Sequence, residues 1–138
     1  MRVENQKITS NFGGSGESKI NSYVELNDSI SYAVFEFNDG VCSINYLKTF
    51  LNQKEKENIE IGLNCDHEIS IPEYKWKTYE FITSERINLV EYREYVHDSM
   101  IDSNGRIKEG FDFLELETKI DSVFKLITIE NNGKILKQ

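Results

Sequence analysis

The 138-residue sequence has one proline, Pro72, two cysteines, Cys42 and Cys65, and no long apolar run. Each scarcity removes a class of protein. Two cysteines are too few for the disulfide framework of a small secreted scaffold, and nothing in their spacing forces them together. Composition leaves no linker or low-complexity segment, and no internal repeat is found. No stretch approaches the roughly 18 apolar residues of a membrane span. The opening Met1-Arg2-Val3-Glu4-Asn5-Gln6-Lys7 lacks the apolar run of a secretory signal. The expectation is a cytoplasmic protein with no membrane partner.

What is present is core material and acid. Hydrophobic residues make up 38% of the chain, and seven Tyr, eight Phe and Trp76 are enough to fill one core, so wholesale disorder is not expected. Sixteen basic residues against 24 acidic ones leave a net charge of −8, which repels phosphate backbones and disfavours generic nucleic-acid binding. A basic protein partner would suit that charge.

The first 19 residues are polar, and Phe12-Gly13-Gly14-Ser15-Gly16 reads as a loop in an N-terminal arm. Its glycines lack the Lys-Ser/Thr pair of a phosphate-binding loop. Residues 20–138 read as a single domain. Tyr23–Leu26 and Ile30–Phe37, rich in β-branched and aromatic residues, predict two strands, and Asn38-Asp39-Gly40 predicts a tight turn. Val41–Tyr46 could be a returning strand. The helical spacing of Ile44, Leu47, Phe50 and Leu51 instead favours a helix over about Ser43–Glu57. Ile59, Ile61 and Leu63 alternate as a strand should, and Ile69 and Ile71 repeat the pattern up to Pro72. Trp76–Thr83 reads as a strand, with a turn at Ser84-Glu85. In Ile87–Val96, Ser84 as an N-cap with Ile87, Val90 and Glu94 could mark a helix, but the β-branched and aromatic residues favour a strand that pairs back as a meander. After a loop at Asp102–Gly105, Phe113, Leu116, Ile120, Val123, Phe124 and Ile127 trace one helical face. Leu126–Ile129 could already be strand, with Asn131-Asn132-Gly133 as a turn and Lys134–Leu136 pairing back. The expected fold class is α+β, a largely antiparallel β-sheet with two helices packed on it.

Cys65-Asp66-His67-Glu68 is the densest polar cluster. On a strand, Cys65 and His67 would share a face, as a thiolate–imidazole pair or the start of a metal site requires. Cys42 and His97, which could complete a zinc site, are isolated, so a polar turn is the simpler reading. Acidic residues gather loosely as Glu55, Glu57 and Glu60, as Glu91, Glu94 and Asp98, and as Asp112, Glu115 and Glu117, with no spacing of a calcium loop. Tyr74, Trp76, Tyr79, Tyr92 and Tyr95 suit either sheet packing or an interface, where Trp and Tyr bury much area at low entropic cost.

Trp76-Lys77-Thr78-Tyr79-Glu80-Phe81, Ile87-Asn88-Leu89-Val90-Glu91 and Glu117-Thr118-Lys119-Ile120-Asp121-Ser122-Val123-Phe124 together resemble, in pattern, cytoplasmic immunity proteins of bacterial contact-dependent inhibition systems. The likeness covers about half the chain; the polar N-terminal arm and the extra hairpin past residue 124 depart from it. The resemblance implies a non-enzymatic protein that binds a cognate toxin domain, often a basic nuclease, and occludes its active site. No functional residue carries over from the family. From the residues themselves, the expected partner-binding set is Trp76, Tyr79, Glu91, Tyr92, Glu94, Tyr95 and Asp98, with no catalytic residue, metal or cofactor. One alternative is a small enzyme or metal protein built on Cys65 and His67. The other is a phage-encoded inhibitor that mimics nucleic acid.

Overall fold

The β-branched and aromatic content that marks strands at Ile30–Phe37 and Ile87–Val96 extends, in the folded chain, to nearly every element. The computed structural model describes residues 6–9 and 17–138, with side chains from Ser18 onward. The glycine-rich loop expected at Phe12–Gly16 lies outside the described residues. The strands are β1 (Gln6–Thr9), β2 (Glu17–Glu25), β3 (Ile30–Asn38), β4 (Cys42–Leu51), β5 (Lys54–Cys65), β6 (Glu73–Phe81), β7 (Arg86–Val96), β8 (Thr118–Ile129) and β9 (Ile135–Lys137). They pair in sequence order, every pair antiparallel. The architecture is therefore an all-β meander, and the expected α+β class is overturned. Among the described residues the helical pieces are two three-residue 3-10 turns, Asp98–Met100 and Phe113–Glu115.

Both expected helices are strands. Ser43–Glu57 is a hairpin: Leu51 pairs with Lys54 across Asn52-Gln53, whose φ angles of 50° and 70° give the left-handed turn that matches strand twist. Asn52 readily takes such angles, but without a glycine beside it the sign of a turn in the sequence was weak. The apparent helical face over 113–127 is an artefact of spacing, since Thr118–Ile129 pairs with β7 along its length. Ile69 and Ile71 lie in the β5–β6 loop, both exposed. The remaining strand readings, including the β6–β7 meander and the final hairpin, stand as expected.

β5 and β6 share one register pair, Leu63 with Lys77, and this weak seam divides the meander into two layers, β1–β5 and β6–β9. One core joins them: Val24, Tyr32, Val34, Leu47 and Ile61 of the first layer meet Ile87, Leu89, Ile127 and Ile129 of the second. The Tyr32 and Phe81 rings stack across the gap at 5.9 Å. β5 touches β6 at Leu63, and further along, its Glu57 carboxylate accepts the Ile135 N–H of β9. One strand reaching both edges of the opposite layer requires the layers to cross steeply. The β8–β9 turn fastens them. The Thr49 hydroxyl, fully buried, donates to the Gly133 carbonyl at 2.6 Å. Gly133 has φ +85°, and a Cβ there would press within 3.3 Å of Ile30 and Lys56.

The cysteines, which nothing in the sequence obliged to meet, are opposite each other in the β4–β5 ladder and form a disulfide. A second, smaller cluster of Val96, Ile107 and Phe113 anchors the 97–117 excursion onto the end of β7.

Candidate binding surface

Side chains alternate between the two faces of a strand, so the register assigns every residue of β6, β7 and β8 to one side. Odd-numbered residues share the face that carries Ile87, Leu89 and Ile127, and thus point inward. Even-numbered residues point outward. Basic charge sorts with this parity, whereas acidic residues occupy both faces, with Glu73, Glu91 and Asp121 inward. Lys75, Lys77, Arg93, Lys119 and Lys125 are all on the inner side. The outward positions hold Tyr74, Trp76, Thr78 and Glu80 on β6, Val90, Tyr92 and Glu94 on β7, and Ile120, Ser122 and Phe124 on β8. Their charges are acidic, apart from Arg86 at the start of β7.

Three rings form a row on this outer surface. Trp76 and Tyr92, cross-strand partners, stack at 4.9 Å with planes 8° apart, and Tyr74 stacks on Trp76 at 5.2 Å. The row is held at one end: the His67 ring lies 3.6 Å from that of Tyr74, whose hydroxyl donates to the Cys65 carbonyl at 2.7 Å. Beyond the row, Ile120 is 58% and Phe124 76% exposed. Ser122 is paired with Tyr92, and on either side of it Phe124 is paired with Val90 and Ile120 with Glu94, so exposed apolar side chains flank the end of the row on β8. A contiguous apolar surface on the outside of a sheet marks a contact site more strongly than scattered exposed residues do.

The expected binding set is thereby split. Trp76, Tyr92 and Glu94 come together on the outer face, where Glu94 accepts a hydrogen bond from Thr118 at 2.5 Å. Tyr79 faces inward and packs on the core, and burial raises its hydroxyl's pKa. Glu91 also faces inward and is engaged by Lys125 at 2.7 Å, Lys77 at 3.7 Å and Lys137 at 3.8 Å. The hydrogen bond from Lys125, reinforced by the other two ammonium groups, holds its carboxyl below the usual carboxylate range. Tyr95 is inward too, with the Arg93 guanidinium 4.4 Å from its ring centre. Asp98 opens the 3-10 turn after β7, and with Tyr95, Met100 and Leu116 it lines a cleft of about 580 Å³.

Other groups flagged by the sequence have structural work. Glu55 pairs with Lys48, Glu57 with the Ile135 N–H, and Glu60 with Lys77. The Asp112 carboxylate caps the second 3-10 turn, and His97 caps the first. Cys65 is not a free thiol, and His67 is occupied against Tyr74 and Phe113. Ile120 and Phe124 were missed because the helical reading buried them; Thr118, Ile120, Val123, Ile127, Thr128 and Ile129, all β-branched, were the signal for a strand. No protein-family model matches this chain, and no curated protein or solved structure matches it.

Proposed function

We propose that this protein is a non-enzymatic binding domain that takes a basic protein partner on the outer face of β6–β8. The confinement of the lysines to the inner face carries the reading. An aromatic and aliphatic surface bounded by Glu80 and Glu94, with the lysines of the same strands turned inward, complements a partner with apolar anchors in a basic surround. Neutralisation of a toxin domain by occlusion is the specific form of this activity that accords with the resemblance to immunity proteins. In that form the Trp76–Tyr92 row sits at the centre of the interface and the carboxylates oppose the toxin's basic cleft.

The Cys42–Cys65 bond bears on where this happens. Disulfides persist in oxidising compartments and are rare in the reducing cytosol, so the bond weighs against the cytoplasmic site expected from the sequence. Among the described residues no helix is long and apolar enough to cross a membrane.

The test is retention of proteins from the native organism's lysate on the immobilised chain, at low and moderate salt, followed by binding assays with the purified candidate. A single stoichiometric basic partner, lost on Trp76→Ala or on reversal of Glu80 and Glu94, is expected. A partner whose affinity ignores all three residues would contradict the assignment.

A further inference from the structure

The end of the aromatic row is held by the last residues of β5. The Tyr74 hydroxyl shares its proton between the Cys65 carbonyl at 2.7 Å and the Asn64 side-chain oxygen at 2.9 Å. The His67 ring packs on the Tyr74 ring at 3.6 Å. Little backbone pairing fixes this segment in turn. Toward β6 the ladder has one register pair, Leu63 with Lys77. Toward β4 the register shifts between Asn45 and Tyr46, and four pairs follow, from Asn45 with Gly62 to Cys42 with Cys65. Past them the Asp66 N–H bonds to the Val41 carbonyl at 2.9 Å. A short ladder tail at a strand end is where local opening costs least. The Cys42–Cys65 disulfide closes this tail. Both cysteines are partly exposed and lie outside the two core clusters. Their bond joins neighbouring strands of one hairpin, so opening it leaves the strand order and the core in place.

We propose that the Cys42–Cys65 disulfide is a redox switch for the outer face. This rests on the outer-face reading given above and names its regulation. In the oxidised chain the bond holds residues 64–67 against Tyr74, and Tyr74 in turn sets the stacked Trp76 and Tyr92. In the reduced chain the tail of β5 frays, the Tyr74 hydroxyl loses its acceptors, and the row is no longer preorganised. A partner must then order the rings as it binds, which lowers affinity. The chemistry is thiol–disulfide exchange. A thiolate of glutathione, or of a protein dithiol, attacks one sulfur to give a mixed disulfide, and a second reductant thiolate displaces it. Two electrons and two protons end on Cys42 and Cys65 as thiols, and the reductant leaves as its own disulfide. Binding is thereby tied to compartment, tight where conditions oxidise and slack where they reduce.

Trp76 is the sole tryptophan and is half-buried, so its fluorescence reads the row without a partner. The test compares the bimolecular constant for acrylamide quenching of Trp76 in the oxidised chain and in glutathione at a cytosol-like poise, with circular dichroism as the check on folding. Reduction is expected to proceed without denaturant, to leave the β signal unchanged, and to raise the constant about twofold. Tyr74→Phe keeps the ring and removes the tethering hydroxyl. It is expected to show the raised constant while oxidised and to change little on reduction. Cys42→Ser with Cys65→Ser is expected to match the reduced wild type. A disulfide that resists glutathione, a chain that unfolds when the bond opens, or a folded reduced chain quenched like the oxidised one each overturns the proposal. A Tyr74→Phe variant that responds as fully as the wild type does so too. None of these readouts involves a partner, so failure of the switch and failure of the outer face to bind a basic protein are read separately.

Discussion

β7 and β8 are each half core and half surface, and under the proposed function the contrast separates stability from recognition within one ladder. Where the first layer lies over them, Ile87, Leu89, Ile127 and Ile129 are almost wholly buried. Farther along the same pairing, the inner side becomes ionic, with Glu91 among three lysines and Arg93 opposite Asp121, while the outer side exposes Ile120 and Phe124. The backbone pairing does not change between the halves. Only coverage does. Apolar side chains in the covered half drive folding by leaving water, and those in the uncovered half retain that potential for a partner.

Substitutions should divide along the same line. Leu89→Ala is expected to cost about 2–5 kcal/mol in chemical denaturation, the range for emptying a packed core site. Phe124→Ala, in the same hairpin, is expected to stay within about 0.5 kcal/mol. Equal losses would erase the distinction. Next in size is the disulfide on the opposite layer. Replacing Cys42 and Cys65 with serine is expected to lower stability by about 3 kcal/mol, and adding reductant to the wild type should reproduce the loss.

Tyr32 refines what "covered" means. Its side chain is fully buried, and its hydroxyl has no hydrogen-bond partner in the structure. Tyr32→Phe is therefore expected to stabilise the fold by about 1 kcal/mol at neutral pH. Burial, with Glu85 nearby, pushes the Tyr32 pKa from 10.0 up to about 12. Between those values the unfolded chain loses a proton that the folded chain keeps, so stability falls as pH rises through the window. The phenylalanine variant should lose that alkaline slope in pH-dependent unfolding. The smallest effect belongs to Glu91. Its depressed carboxyl pKa stabilises the fold above the unfolded value of 4.5, and the benefit disappears as pH falls through the lower folded value. Glu91→Gln should flatten the acid limb of the stability profile and leave the alkaline limb unchanged.

Much of the meander was legible. Ile30–Phe37, Ile59–Leu63 and Ile87–Val96 carry β-branched and aromatic residues in runs, and Asp39-Gly40 and Asn132-Gly133 mark their turns plainly. The errors came where turn chemistry was weak, at Asn52-Gln53, and where apolar residues on both faces of β8 imitated a helical period. Parity decides which of the expected binding residues share a face. Trp76, Tyr92 and Glu94 are outward, and Tyr79, Glu91 and Tyr95 inward, a division readable only once the pairing register is known. The disulfide was hidden for the same reason, because contact between Cys42 and Cys65 depends on the turn at Asn52-Gln53 and on two register shifts, at Thr49/Phe50 and Asn45/Tyr46, that bring Cys65 opposite Cys42.

The most direct test of the outer-face assignment compares two variants against the retained basic partner by titration calorimetry. One is Trp76→Ala with Phe124→Ser. The other alters the separate cleft at the β2–β3 turn, by Tyr23→Ala with Asp28→Ser. The outer-face pair is expected to weaken binding at least a hundredfold and the cleft pair to leave it unchanged. The reverse pattern would place recognition on the first layer and contradict the account.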